Sequence, residues 1–219
     1  MQSRESIQKR LGELKSEYGE WTFDILLPFD IWTMGNLQIP HARLKRIVQV
    51  VNDLSRKPLS ECRILDLGCL DGIFSIEFSQ HGASTIGVEI WDANINKAIF
   101  CKEVLNLHNL EFRQDDVRNI SLETYDKFDA IICSGILYHL PAIDAINLVH
   151  TMFEIVNRVV VVDTHVALSS KERFLYDGNE YWGPLTANIL TTPQRKIKQK
   201  NSCRQQITPL VSGLRDHLW

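Results

Sequence analysis

The chain has 219 residues and a formal net charge of −3, with 44% hydrophobic and 23% charged residues. These values are typical of a globular protein with one domain and a modest extension, and they provide no global positive charge for binding nucleic acid. No apolar run reaches the length of a membrane span, and the charged N-terminus lacks the apolar core of a signal peptide, so we expect a cytoplasmic protein with reduced, mostly buried cysteines.

Residues 1–58 are predicted to form an N-terminal helical and aromatic cap. Apolar side chains recur at spacings of three and four residues in 3–17 and again in 41–54, a pattern that predicts two amphipathic helices. The segment between them, residues 18–40, is irregular and aromatic. Its part from Trp21 to Trp32 is interpreted either as a lid over the acceptor pocket or as part of the core where the N-terminal helices dock. Its aromatic residues include Trp21, Phe23, Phe29 and Trp32.

Residues 59–190 are predicted to form an α/β domain in which strands alternate with helices. The predicted strands are 63–67, 85–89, 110–114, 128–133 and 158–163. The predicted helices are 72–80, 93–105 and 142–156. This alternation implies parallel pairing, right-handed crossovers and helices on both faces of the sheet, so the expected fold is a doubly wound, mostly parallel sheet.

The regular pattern fades after residue 166. Residues 169–177 are predicted to form a short helix, and residues 178–185 an aromatic loop. Residues 191–219 are predicted to be a basic, irregular tail. The basic run at 195–200 is interpreted either as a contact for RNA phosphates or as a solvated surface.

The run from Ile64 to Gly72 is the most informative stretch of the chain. Its first half is apolar and β-prone, and its second half contains two glycines and two aspartates before a helical pattern begins. A strand, tight turn and helix start of this kind lets the backbone approach a nucleotide-like ligand closely. The spacing Asp-x-Gly-x-x-x-Gly differs from the Gly-x-Gly-x-x-Gly of dinucleotide enzymes. Acids at both ends of the loop suit a ligand with a cation and an amine better than one with phosphates.

Further polar residues follow the other predicted strands. In an open α/β sheet, ligands bind outside the carboxyl ends of the strands. The second strand ends in Glu89, an acid placed to accept hydrogen bonds from two ribose hydroxyls. The third is followed by Asp115, Asp116 and Val117, where an acid can accept from an adenine amino group. The fourth leads into the loop 134–139, which we expect above the site.

This order of residues resembles the class I S-adenosylmethionine-dependent methyltransferases, over roughly residues 60–165. The resemblance implies a Rossmann-like sheet that binds S-adenosylmethionine, with Gly68 and Gly72 along its methionine part and Glu89 on its ribose. Leu70 departs from the family pattern, which usually has glycine at this position. The cofactor-binding residues that the resemblance implies are Asp66, Gly68, Cys69, Gly72, Glu89, Ile90, Trp91, Asp116, Val117 and Ser134.

Tyr138 and His139 are the candidate catalytic residues. Methyl transfer from a sulfonium needs little acid–base help, because the cofactor carries the reactivity and the protein supplies alignment. If the acceptor is a hydroxyl or an amine, His139 is placed to remove its proton; otherwise its role is positioning. No metal site is expected, because Asp163-Thr164-His165 lacks a repeated ligand spacing.

A narrower resemblance points to the branch that contains the tRNA wobble-uridine carboxymethyltransferase. It rests on Leu137-Tyr138-His139 and on the upstream pattern Trp21-x-x-Asp24 and Thr33-x-Gly35. That enzyme holds a carboxylated cofactor partly through a lysine before the sheet, whereas residues 21–40 contain no lysine or arginine. We therefore expect S-adenosylmethionine and methyl transfer to an unidentified acceptor, a small molecule or tRNA. The alternatives are carboxymethyl transfer to a tRNA uridine and an inactive nucleoside-binding or scaffold protein.

Methyltransferases of this class usually complete the sheet with two more strands, the last of them antiparallel. Only five strands are legible here, so we expect a sheet that lacks the last two and hypothesise a truncated or altered version of a longer family member. The fifth strand would then either expose its edge or have that edge covered by a partner chain, as in a homo-oligomer.

Overall fold

The computed structural model of the protein describes residues 3–35, 42–165, 173–176 and 179–182. The chain divides into two compact units, Met1–Leu168 and Ser169–Trp219. The first unit contains a five-stranded parallel sheet with its helices, and the second contains a two-stranded hairpin. The boundaries at residues 58 and 190 that the sequence suggests for the cap and the tail stay predictions.

The first helix, α1 (Arg4–Tyr18), begins at Ser3, whose hydroxyl accepts a hydrogen bond from the backbone N–H of Ser6. The helix ends at Gly19, where φ is 80°. Glycine adopts this left-handed region without steric cost, which makes it a common residue after a helix. The buried face of α1 consists of Ile7, Leu11 and Leu14, whose spacing matches the helical period.

The aromatic segment after α1 contains two short antiparallel strands, β1 (Leu26–Leu27) and β2 (Ile31–Trp32), which the sequence pattern did not predict. It leads to the second helix, α2 (Ala42–Ser55). Trp21 is 2% exposed and lies in the core cluster shared with α1 and α2, as the interpretation of this segment as core predicts. Phe29, in contrast, is 53% exposed.

Strands and helices then alternate as predicted. The strands are β3 (Arg63–Leu67), β4 (Ser84–Glu89), β5 (Leu110–Gln114), β6 (Phe128–Ser134) and β7 (Val156–Asp163). The helices are α3 (Ile73–Gln80), α4 (Asp92–Val104), α5 (Leu122–Tyr125) and α6 (Ala142–Ile155). All pairs in the sheet are parallel and the strand order is β5-β4-β3-β6-β7. The order reverses between β3 and β6, and the carboxyl ends of these strands form the crevice where such sheets bind ligands.

Both faces of the sheet are buried. Successive residues of a strand point to opposite faces, so Ile64 belongs to the core that includes α1 and α2. Leu65 belongs to the core on the other face, together with Met152 of α6. The helical cap thus packs on one side of a doubly wound sheet, which confirms the predicted fold class.

The region after residue 166 corrects the sequence prediction. The prediction of a short helix over 169–177 is wrong, because this range contains the strand β8 (Arg173–Tyr176). A second strand, β9 (Asn179–Trp182), lies within the loop predicted over 178–185. The two strands pair antiparallel, with Arg173 opposite Trp182. Asp177-Gly178 stands between them in the sequence, and Asp-Gly is a strong signal for a two-residue hairpin turn. β8 and β9 pair only with each other, so within the described residues the parallel sheet has the five strands that the sequence predicts.

No helix in the described part of the chain is both long enough and apolar enough to cross a membrane. Four of the five cysteines lie in that part, and all four are free and buried, as predicted: Cys62, Cys69, Cys101 and Cys133. Cys203 and the basic run at 195–200 lie outside the described residues.

Candidate functional site

The loop after β3 passes through three residues with a left-handed backbone: Gly68 (φ 66°), Leu70 (φ 51°) and Gly72 (φ 88°). Leu70 adopts this conformation where the resembled family usually has glycine, at a cost of about 1–2 kcal/mol. Packing leaves no room for a side chain at Gly72, because an added Cβ would lie 2.6 Å from Cζ of Phe112. Gly72 therefore lets the start of α3 pack directly against the ring of Phe112 in β5.

The side chain of Asp66, at the end of β3, binds the helix that follows the loop. Its side chain is 1% exposed, and its Oδ2 accepts hydrogen bonds from the backbone N–H and the hydroxyl of Ser75, at 3.1 and 2.6 Å. Burial raises the pKa of Asp66 to about 7, with a smaller contribution from the negative charge of Glu89, although the bonds from Ser75 act in the opposite direction. The first turn of α3 is thereby fixed to the end of β3.

Glu89 ends β4 and is 4% exposed. Its Oε2 accepts the backbone N–H of Leu70 at 3.0 Å, and its Oε1 accepts the backbone N–H of Trp91 at 3.0 Å. A carboxylate offers about four acceptor positions, so each oxygen of Glu89 retains capacity for another donor. Ile90 and Trp91 follow at the rim, where they are 49% and 54% exposed.

The two aspartates after β5 have different surroundings. Asp115 accepts the hydroxyl of Tyr125 at 2.8 Å and the side-chain amide of Asn119 at 2.9 Å. Asp116 is bound by Arg118, whose Nε lies 3.0 Å from each carboxylate oxygen, and this guanidinium lowers the pKa of Asp116. An adenine amino group would therefore share Asp116 with Arg118. Val117 is 6% exposed and packs in the core beside α6.

The loop after β6 begins with Ser134, whose hydroxyl donates to Oδ2 of Asp163 at the end of β7, at 3.0 Å. Gly135 follows with φ 81°. Ile136 lies against the glycine loop, because a Cβ on Gly68 would be 3.0 Å from its Cδ1. Tyr138 and His139 come next and are both exposed. The candidate catalytic residues thus lie on a loop that contacts the glycine loop after β3.

Asp71 connects the glycine loop to the aromatic segment before the sheet. It is completely buried, and its Oδ2 accepts the backbone N–H groups of Thr22 and Phe23. Burial raises the pKa of Asp71 to about 6. Sequence reasoning treated Asp71 only as an acid of the loop, because a bond to a residue 49 positions away leaves no local signal.

The predicted site residues therefore lie at the carboxyl ends of β3, β4, β5 and β6, on one edge of the sheet. Asp66 and Ser134 make their side-chain bonds within the fold, to Ser75 and Asp163. Glu89 is the buried carboxylate that contacts the glycine loop directly. Within the described ranges, no group of three histidine, cysteine or acidic side chains is arranged to hold a metal ion.

The sequence of this chain is similar to part of the sequence of several known methyltransferases. The mitochondrial ubiquinone biosynthesis O-methyltransferase of Bos taurus is 31% identical over 126 residues, which cover 56% of this chain and 33% of that protein. The ubiquinone biosynthesis O-methyltransferase of Acinetobacter baylyi is 29% identical over 104 residues, which cover 48% of this chain and 42% of that protein. The chain thus matches less than half of the length of either relative.

Solved structures show the same fold. The N-terminal domain of EvdMO1 with SAH (S-adenosylhomocysteine) bound has a TM-score of 0.64 and 26% identity, over 81% of this chain and 72% of that one. The bifunctional kinase-methyltransferase WbdD has a TM-score of 0.57 and 24% identity, a likeness of fold alone. A family model described as Methyltransferase domain matches residues 39–199, more than half of the chain. The chain therefore belongs to the methyltransferase domain family.

Proposed function

We propose that the protein is an S-adenosylmethionine-dependent methyltransferase whose cofactor binds at the carboxyl ends of β3 and β4. The observation that carries this proposal is the buried carboxylate of Glu89, held by N–H groups of Leu70 and Trp91 on either side. Both oxygens retain acceptor capacity, which suits the two adjacent hydroxyls of a ribose. The end of β3, which carries the glycine loop, borders the switch point between β3 and β6, where sheets of this class bind their ligands.

The residues around Glu89 fit the rest of the cofactor. The glycine loop follows β3 directly beside Glu89, and the buried acids around it favour a ligand with an amine and a sulfonium. When bound, the cofactor supplies a methyl group that its sulfonium makes electrophilic. The proposed binding residues are Asp66, Gly68, Cys69, Gly72, Glu89, Ile90, Trp91, Asp116, Val117 and Ser134.

We propose a hydroxyl oxygen of a small molecule as the methyl acceptor. Support comes from the relatives, which are named as O-methyltransferases of ubiquinone biosynthesis. The N-terminal domain of EvdMO1 was also crystallised with SAH and D-fucose, a polyhydroxy compound. Carboxymethyl transfer to a tRNA uridine gains no support from these names, and residues 21–40 offer no cation for a carboxylated cofactor.

We expect Glu89→Ala to weaken binding of S-adenosylhomocysteine by about 10- to 100-fold, which corresponds to roughly 1–3 kcal/mol for a lost charged hydrogen bond. Isothermal titration calorimetry measures this, with Glu89→Gln as the variant that keeps the side-chain shape. The matched control is Glu111→Ala, an exposed acid of β5 paired with Arg113, which we expect to leave the affinity unchanged.

Two outcomes of this titration contradict the proposal at different levels. Wild-type affinity in Glu89→Ala, with a cooperative thermal melt, would remove Glu89 from the ribose site. Failure of the folded wild-type protein to bind S-adenosylhomocysteine would overturn the proposed methyltransferase function itself and favour the scaffold alternative.

A further inference from the structure

A second cluster of polar and aromatic side chains lies where β6 and β7 end. It contains Tyr138, His139 and His165, and we call it the aromatic–imidazole cluster. β6 pairs with β3, with Cys133 opposite Leu67, so the loop after β6 begins beside the glycine loop. Each of these residues belongs to the first compact unit of the chain.

Two contacts to Asp163 join the ends of β6 and β7, and a third joins Asp163 to Arg43 of α2. Oδ2 of Asp163 accepts the hydroxyl of Ser134 at 3.0 Å and Nη1 of Arg43 at 3.1 Å. Its backbone oxygen accepts the N–H of Gly135 at 2.8 Å. The start of the loop that carries Tyr138 and His139 is therefore fixed to β7, two residues before His165.

The ring of Tyr138 is in contact with both imidazoles. His165 stacks on it nearly parallel, with ring centroids 4.4 Å apart and an interplanar angle of 8°. His139 packs at 46°, with centroids 4.3 Å apart. The Tyr138 hydroxyl lies 3.5 Å from where a Cβ on Gly135 would be, so the ring folds back toward the end of β6. Tyr138 is still 41% exposed, which leaves the cluster open to a ligand.

His165 also acts on His139 electrostatically. Partial burial lowers the pKa of His139, and the neighbouring His165 lowers it further. Arg43 and Asp163 form an ion pair at this end of β7. In its neutral form an imidazole ring has one nitrogen free to accept a proton.

We propose that His165 is a positioning residue of the acceptor site: its ring holds Tyr138 over the end of β6, beside His139, which receives the acceptor's proton. His165 also disfavours the charged form of the His139 ring. This inference rests on the proposed function. In the step it serves, the hydroxyl proton of the acceptor passes to a ring nitrogen of His139. The freed oxygen lone pair forms the bond to the methyl carbon, and the electrons of the broken carbon–sulfur bond return to sulfur.

The experiment is an NMR titration of the histidine rings together with the ring protons of Tyr138, in the free protein and at saturating S-adenosylhomocysteine. Three proteins are compared with the wild type: His165→Ala, His165→Phe and the control His150→Phe, on the exposed side of α6. His165→Phe keeps a flat ring for stacking but removes the ionisable group, so it separates the two roles of His165.

We expect the titration midpoint of His139 to rise toward the ordinary histidine value of about 6.5 in both His165 variants and to stay unchanged in His150→Phe. The Tyr138 ring shifts should be kept in His165→Phe and lost in His165→Ala. Calorimetry with S-adenosylhomocysteine should give wild-type affinity for all variants, because the proposal assigns His165 to the acceptor site.

An unchanged His139 midpoint in both His165 variants would overturn the electrostatic part of the proposal. Wild-type Tyr138 shifts in His165→Ala would overturn the stacking part. Loss of S-adenosylhomocysteine binding in the wild type would instead count against the proposed function, while the histidine and tyrosine signals would still decide the role of His165.

Discussion

Gly72→Val is expected to destabilise the protein by about 2–5 kcal/mol. The backbone at Gly72 has φ 88°, a conformation that is a steric outlier for a β-branched residue. An added Cβ would also lie 2.6 Å from Cζ of Phe112 and 3.2 Å from Cβ of Ala98, so β5 and α4 would both have to move. Urea unfolding followed by circular dichroism measures the change in the free energy of unfolding.

Gly12→Ala provides the matched control for this substitution. Gly12 lies within α1, and an added Cβ there has no atom within 4 Å. We expect this variant to gain about 0.5–1 kcal/mol, because alanine is favoured over glycine inside helices. Wild-type stability in Gly72→Val would show that the loop does not have the close packing described above.

Asp66→Asn is expected to change how the stability of the protein depends on pH. The folded-state pKa of Asp66, about 7, lies above its unfolded value, so the folded state favours the protonated carboxyl. This contribution to stability is present below about pH 4 and is lost as the pH rises through 7. Asparagine keeps an acceptor oxygen for Ser75 and never ionises. The stability of the variant relative to the wild type should therefore increase between pH 4 and 8, by up to roughly 4 kcal/mol.

Equilibrium unfolding at several pH values in that window measures this difference. The control is Asp53→Asn, on the exposed side of α2, where the carboxyl lies in water in the folded and unfolded chain alike. A difference between Asp66→Asn and the wild type that stays flat from pH 4 to 8 would contradict the account of Asp66 as a buried carboxyl with a raised pKa.

Much of the fold is predictable from the sequence because the sheet strands are apolar runs bounded by turn residues. The predicted strands at 63–67 and 110–114 coincide with β3 and β5. The pair β1–β2 was not predictable, since two-residue strands have no periodicity and depend on tertiary contacts. Thr33, for example, accepts the N–H of Ile25 at 2.8 Å and donates to the carbonyl of Phe23 at 3.0 Å. The β8–β9 hairpin did have a local signal, Asp177-Gly178, which the helical prediction overlooked.

Part of the candidate site could also be predicted from the sequence, and part could not. Glu89 and Asp116 could be placed at the ligand edge because the carboxyl ends of parallel strands meet there. Contacts between residues far apart in the sequence could not be inferred. Examples are the hydrogen bond that Asp71 accepts from the backbone of Phe23 and the stacking of His165 on Tyr138. Local patterns report where a residue lies along an element, and only the packed structure reports which side chain it contacts.

The central claim is that Glu89 and the glycine loop bind an S-adenosyl nucleoside. A crystal structure of the protein with S-adenosylhomocysteine tests it most directly. The account predicts both ribose hydroxyls within about 3.2 Å of the Glu89 carboxylate and the amino-acid part of the ligand along Gly68 to Gly72. A nucleoside bound elsewhere on the protein, or a ribose at this edge without a contact to Glu89, would contradict the account.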